Sequence, residues 1–478
     1  MKLAYDPGDG DAFWDAVEQI AGYPEGVHRP IGQMIFESDA IFRTPDVLRR
    51  AGADPGAPLL VVMDPTPMRR GPDDLKRLAL DLLRRAGWEV EAVVMEPDAS
   101  GQVHTDMPHI ERVRAGLRPG VSVLAVGSGV ICDISKHACH LFELAGGPHT
   151  PFVMMQTANS VSAFTSNMAP VFIDGVKRTL DSRYVDALIC DLETLADAPK
   201  EMTAAGVGDL LAAFVSLPDW TLANRLGMDA SANPLPETLM GPLGDLFMAE
   251  AEGIRAGSAE GMAVLAKLIA LGGLAMSLTH ATTSMSGYEH VMSHALDLLA
   301  ETSDRPLAMH GTQVALTSIL GAEVYRRFLS EFEPGKVEIE KCYPAAEEME
   351  ARVRAAFEAV DPTGRAGEEC WSDYRVKLEA WHARRGELED FLAHWEAIKP
   401  EIARLGAPPE RLAEILRAVG APVHFADLMP PADEAMARFA FMNAPLMRKR
   451  LTIGDLLIFL GWDRDTLWGD VWATTQTI

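Results

Sequence analysis

Four side chains between positions 209 and 310 are of the types that bind a divalent cation. Asp209 is the one acidic residue of Ala205-Gly-Val-Gly-Asp-Leu-Leu211, an apolar helical stretch. A carboxylate there is costly unless it is paired, hydrogen-bonded or bound to a cation. In Ser286-Gly-Tyr-Glu-His-Val-Met-Ser-His294, His290 and His294 stand four residues apart and so share one helix face. His310, in Met309-His-Gly-Thr312, reads as part of a short turn after Arg305-Pro306. Imidazole and carboxylate together suit Zn(II), Fe(II) or a similar ion, and three protein ligands leave a coordination position for substrate. Taken singly, each histidine reads more simply as a surface or hydrogen-bonded core residue.

A second constellation lies upstream. Val121-Ser-Val-Leu-Ala-Val126 runs into Gly127-Ser128-Gly129 and then Val130-Ile-Cys-Asp-Ile-Ser-Lys136, a strand, a glycine turn and the start of a helix. Such glycines let backbone amides approach a phosphate, and the helix N-terminus favours its charge. The turn lacks the full dinucleotide fingerprint, and similar turns occur throughout α/β proteins. Asp64, in Val61-Val-Met-Asp-Pro-Thr66, sits at a strand end, where it can accept hydrogen bonds from a ribose diol or simply close a turn.

The elements that must hold these residues change character along the chain. Strand-like runs at Pro58–Met63, Val90–Met95, Val121–Val126, Phe152–Met155 and Ala187–Cys190 alternate with amphipathic stretches such as Leu75–Ala86. That alternation predicts βαβ units around a parallel sheet. After Asp191 the 3.6-residue period takes over at Glu201–Leu226, Leu243–Ala256, Ser258–Leu278 and Tyr288–Glu301. The expected fold class is α/β plus all-α: a Rossmann-like domain over 1–193, then a helical metal- and substrate-binding domain over 194–478. The latter carries a charged helical insert at about 345–417 that serves either as a dimer contact or as solvated helix.

Composition narrows the function. The formal net charge of -26 repels phosphate backbones and anionic lipid, which speaks against nucleic acid or a membrane as partner. No run of about 18 apolar residues is evident and no signal peptide develops, so a cytoplasmic location is expected. The five cysteines are odd in number, scattered and without CxxC spacing, which predicts reduced thiols.

The chain resembles the glycerol-1-phosphate dehydrogenase branch of the iron-containing alcohol dehydrogenase and dehydroquinate synthase-like superfamily. The resemblance runs through Asp64-Pro-Thr66, Gly127-Ser-Gly129 with Asp133 and Lys136, Thr157-Ala-Asn-Ser160 with Phe164-Thr-Ser166, Asp174-Gly-Val-Lys177, and Ala205–Leu211 with Asp219-Trp220. It continues through Ser286–His290 with Ser293-His294, His310-Gly311 and Arg448-Lys-Arg-Leu-Thr-Ile453. The resemblance implies that Asp209, His290 and His310 are metal ligands, for Zn ahead of Fe or Ni, and that His294 lies near the substrate. It implies a nucleotide held by Asp64, Gly127, Ser128, Gly129, Asp133, Lys136, Thr157, Ser160 and Ser166. The nucleotide is NAD or NADP, with Asp64 favouring NAD because it would repel a 2′-phosphate. A homo-oligomer, dimer or larger, is implied as well.

The expected reaction is reduction of a small, phosphorylated ketone such as dihydroxyacetone phosphate. Two departures qualify this. Where the family usually carries an Asp beside the reacting hydroxyls, this chain reads Ser160-Val-Ser162-Ala163. Ser162 can exchange hydrogen bonds with substrate but supplies no carboxylate, so proton handling or substrate choice differs there. Ala213 stands where a lysine is common. Cyclase chemistry, another ketone or polyol, or nucleotide binding without catalysis are the alternatives on the same fold.

Overall fold

The computed structural model describes residues 3–98, 101–173, 176–303 and 305–478. Asp174 and Gly175 of the Asp174–Lys177 motif lie outside the described residues. Contacts divide the chain into two compact units, one of Met1–Gly206 with Pro234–Thr279, the other of Val207–Asn233 with His280–Ile478. Residues 234–279, which a division at 193 assigns to the helical half, thus belong with the sheet.

The first unit is built on six parallel strands: β1 (Gln33–Glu37), β2 (Pro58–Met63), β3 (Glu89–Val94), β4 (Ser122–Gly127), β5 (Phe152–Gln156) and β6 (Ala187–Asp191). Their order is β1-β6-β5-β4-β2-β3. Every residue of β4, β5 and β6 is buried, the pattern of a parallel sheet covered on both faces. The chain steps outward from β2 to β3, then returns to the other side of β2 and continues β4, β5, β6. The order therefore reverses between β2 and β4. Crevices at such a reversal, beyond the carboxyl ends of the strands, are where open α/β sheets bind ligands. β1 and the antiparallel pair Met168–Ile173 and Val176–Asp181 are elements that the run-by-run reading did not identify. β1 has only three apolar residues between polar ends, and Met168–Ile173 is interrupted by Pro170, so neither shows a clean apolar run.

The helix α1 (Gly129–Leu144) follows β4 directly. A further helix, Ala259–Thr279, is long and apolar enough by composition to cross a membrane, and 78% of its most apolar window is buried inside the protein. This corrects the expectation that no such run exists. Lys267 and several glycines and alanines interrupt the apolar pattern, and Lys267 pairs with Asp6 at 2.7 Å.

The second unit is helical. The stretch read as one helix over Glu201–Leu226 is two, α2 (Lys200–Leu211), which belongs to this unit from Val207 on, and α3 (Ala213–Arg225), joined at Ala212, with Pro218 inside the second. Tyr288–Thr302 forms α4, and His310 opens α5 (His310–Glu331) instead of lying in a short turn. Met309 is extended and serves as the N-cap, after which Val314 to Phe328 bury nearly every residue. The insert is not solvated throughout. Its helix α6 (Arg365–His382) buries Gly367, Cys370, Trp371, Tyr374, Leu378 and Trp381, a stripe with helical spacing, and packs it inside this unit.

Candidate metal centre and nucleotide-binding loop

Asp209, His290 and His310 come together in the second unit, each offering one ligand atom, with all three atoms within 4.8 Å of one another. Three helices place them: Asp209 near the end of α2, His290 in the first turn of α4, and His310 as the first residue of α5. Asp209 and His290 are buried and His310 is half-buried. Glycine sets the spacing of α2 and α5. A Cβ on Gly208 would stand 2.2 Å from the Gly311 carbonyl oxygen and 2.8 Å from the Ala315 Cβ, so the two helices meet backbone to backbone beside Asp209 and His310.

The imidazoles are oriented from behind. His290 Nδ1 lies 2.9 Å from Glu289 Oε1, a buried carboxylate oxygen that also accepts the Gly287 amide at 2.7 Å. A carboxylate accepts, so Nδ1 carries a proton; Nε2 faces Asp209 Oδ1 at 3.5 Å, where it holds a second proton in the imidazolium and offers its lone pair to a cation once that proton leaves. The Ser293 hydroxyl donates to Gln313 Oε1 at 2.8 Å. It is therefore the acceptor for His310 Nδ1 at 3.2 Å. Both imidazoles thus have Nδ1 held by an outer partner, the arrangement usual for a metal-ligating histidine. Burial works against a charged His290, but the hydrogen bonds to Asp209 and Glu289 outweigh it and raise the imidazole to about 9. A centre so rich in acceptors draws in positive charge, as a proton or as a cation.

His294, half-buried one turn beyond His290, stacks on His310 with ring centroids 5.6 Å apart and planes inclined by 17°. It completes a cluster in which the His290 and His310 centroids are 5.1 Å apart. Glu289 and Ser293 lie within the quoted motifs but carried no assigned role, and Gln313 was not among them. The signal for the first two was their adjacency to the histidines in Glu289-His290 and Ser293-His294; nothing in the sequence marks Gln313.

The remaining predicted residues gather in the first unit, at the carboxyl ends of the strands. Gly127 ends β4, Ser128 is the N-cap of α1, and Gly129 begins that helix. The glycines here serve close packing: a Cβ on Gly127 would meet Ile131 at 2.6 Å, and one on Gly129 would meet Val161 at 2.6 Å. Among the described residues no side chain caps α1, and the first amides of a helix have no partner within it. The Thr157 amide donates to the Gly127 carbonyl at 3.0 Å, which holds the loop after β5 beside this turn.

That loop is fixed from both sides. Gln156 Nε2 donates to Asn159 Oδ1 at 2.7 Å, Asn159 Nδ2 to the Met262 carbonyl at 3.2 Å, and Thr165 Oγ1 to the Ala270 carbonyl at 2.7 Å. Gly273 lets the loop approach, since a Cβ there would lie 2.4 Å from the Ser162 carbonyl oxygen. Ser160, Ser162 and Ser166 are buried within it, and the Ser166 hydroxyl accepts the Met168 amide at 3.1 Å. Asp133 and Lys136 are buried beneath it. They pair at 3.0 Å, and Lys136 Nζ donates to the Ala163 carbonyl at 3.0 Å, so their charges are satisfied by each other and by the loop. Asp64 follows β2 as expected, but Lys76 Nζ contacts its Oδ1 at 2.5 Å and the Thr66 carbonyl at 2.7 Å. All five cysteines are buried and unbridged.

The family model for iron-containing alcohol dehydrogenases matches residues 35–199. A curated relative, the NAD(P)+ glycerol-1-phosphate dehydrogenase of Geobacillus stearothermophilus, is 29% identical over 341 residues, which cover 71% of this chain and 76% of that protein. The enzyme of the same name from Pyrococcus horikoshii is 32% identical over 246 residues, or 50% of this chain and 68% of that protein. For another such relative, from Geobacillus thermodenitrificans, the matched share is 49% of its length. Among solved structures, glycerol dehydrogenase from Schizosaccharomyces pombe aligns with 93% of this chain and 92% of its own, at a TM-score of 0.57 and 13% identity, a likeness of fold.

Proposed function

Since the chain belongs to the glycerol-1-phosphate dehydrogenase branch of the iron-containing alcohol dehydrogenase superfamily, we propose that it is a metal-dependent, NAD(P)-linked dehydrogenase that reduces a small phosphorylated ketone, dihydroxyacetone phosphate in the first instance. The observation that carries this reading is the histidine pair whose Nδ1 atoms are tied to Glu289 and Ser293 and which, with Asp209, offers three ligand atoms within 4.8 Å of one another. One carboxylate and two imidazoles suit Zn(II) or Fe(II). When bound, the cation supplies Lewis-acid polarisation of the ketone oxygen, and the reduced nicotinamide supplies the hydride.

The chain's own residues do the rest. Asp209, His290 and His310 hold the charge in place, and Glu289 and Ser293 hold the imidazoles in the ligating tautomer. His294, stacked on His310 and half-exposed, hands a proton to the product oxygen. The first amides of α1 receive the pyrophosphate. Ser162 touches a substrate hydroxyl that the family's usual aspartate would bind as a carboxylate. Assay of a panel of phosphorylated and free ketones with NADH and NADPH tests the reading. Metal-dependent oxidation of the reduced nucleotide with dihydroxyacetone phosphate is expected, whereas turnover of a substrate without net nucleotide oxidation would point to cyclase chemistry.

Lys76 bears on nucleotide choice. Its ammonium neutralises Asp64, which would otherwise repel a 2′-phosphate, so the lean towards NAD gives way to use of both nucleotides. Lys76→Ala is expected to lower kcat/KM for NADPH relative to NADH by about tenfold, the loss of one charge-assisted hydrogen bond. An unchanged ratio of the two kcat/KM values would contradict the assignment.

A further inference from the structure

The helix that carries His290 is held at its start by a short segment near the C-terminus. Asp219 Oδ2 accepts the Tyr288 amide at 2.7 Å, and its Oδ1 accepts the Ile453 amide at 2.8 Å and the Tyr325 hydroxyl at 2.5 Å. One buried carboxylate therefore ties the first residue of α4 to the first residue of α7 (Ile453–Phe459). Arg450 donates to the Ser286 carbonyl and, at 3.0 Å, to the Ser286 hydroxyl. Gly454 leaves the Tyr288 ring room to pack, since a Cβ there would stand 2.7 Å from the Tyr288 Cε2.

What fixes that segment comes from the insert. Lys377, on α6, lies 2.5 Å from Asp455 Oδ1 and donates to the Pro445 carbonyl at 2.5 Å, and both members of the ion pair are fully buried. Asp455 Oδ2 in turn accepts the Thr452 amide and hydroxyl, each at 2.9 Å, closing the capping box of α7. At the other end of α7, Phe459 stacks on Trp381 of α6 at 4.6 Å and 13°. A charged pair removed from water persists only where its geometry is fully satisfied, and breaking one member leaves the other stranded.

The geometry points to α6 of the insert as a brace for the metal centre: Lys377 is a positioning residue that fixes Asp455 and α7, and through Asp219 fixes the register of the His290 helix. This rests on Asp209, His290 and His310 being the metal ligands, and the brace has a readout of its own that does not depend on metal.

The test compares wild type with Lys377→Met/Asp455→Asn, which removes both charges while keeping an oxygen to cap Thr452, and with Trp381→Leu, which loosens the far end of α7 without stranding a charge. Amide hydrogen exchange on chelator-treated protein reports the brace. Exchange over 286–290 and 453–456 is expected to speed up at least tenfold in either variant, with the β4–β5 strands unchanged. Co(II) titration followed by visible absorption reports the ligands. Affinity is expected to fall about tenfold and the absorption of the bound ion to change, as when outer partners of a metal site are lost. Lys377→Arg, retaining the charge pair, is expected to recover part of both. Unchanged exchange and Co(II) affinity in folded variants would overturn the brace, as would a fall in Tm with the cobalt spectrum and affinity intact, which marks an ordinary structural contact. Faster exchange in a protein whose wild type binds no Co(II) would keep the brace and remove the metal reading.

Discussion

Asp209→Ala is expected to strip the protein of its divalent cation and to lower kcat/KM for the ketone by about a thousandfold or more, since Lewis-acid polarisation is worth several kcal/mol of barrier. The side chain is buried, and its Oδ1 is 3.5 Å from His290 Nε2. Its removal leaves two imidazoles without the anionic partner that sets the charge of the centre. His290→Ala has the same expected outcome by another route, because it also takes the imidazole from the buried Glu289 carboxylate and leaves it only the Gly287 amide of the two. Metal analysis and steady-state kinetics on the two variants check this. Folded variants with wild-type metal content would rule out these ligands.

Gly208→Ala is the second large effect, although one methyl group is all that changes. Its Cβ would sit 2.2 Å from the Gly311 carbonyl oxygen, a backbone atom that cannot swing aside, so α2 and α5 must separate. Overpacking of this kind costs about 1–3 kcal/mol. The functional consequence is larger, because Asp209 and His310 ride on the two helices being forced apart, and ligand distances tolerate only about 0.2 Å. A Tm lower by several degrees and a metal affinity weaker by more than about tenfold are expected. Gly386→Ala is the control: a Cβ at that helical position meets nothing within 4 Å, and the change is expected to be neutral or slightly stabilising. Equal behaviour of the two variants, by thermal melts and metal titration, would contradict the role given to Gly208.

The sheet was legible because parallel strands buried on both faces are nearly continuous apolar runs, as in Val121–Val126 and Phe152–Met155. β1 was not, since Gln33–Glu37 offers three apolar residues between polar ends. Periodicity announced α4, but the start of α5 was obscured by Pro306 and by Gly311, a residue that suggests a turn and stands in the first turn of the helix. The histidines and Asp209 were visible as residue types, and their convergence was not, because their meeting depends on three helices crossing. Asp64 was read as a lone carboxylate because Lys76 lies on the next helix, twelve residues on. The insert's charge concealed its buried stripe: Lys377 counts as solvated in any composition, and only Asp455, far along the chain, explains its place inside.

The most direct test of the account is metal content measured alongside turnover, in protein purified without added metal, then after dialysis against a chelator, then after titration with Zn(II) or Fe(II). About one divalent ion per chain is expected, with ketone reduction that disappears with the ion and returns in proportion to the ion restored. Undiminished reduction by protein shown to be free of metal would contradict it.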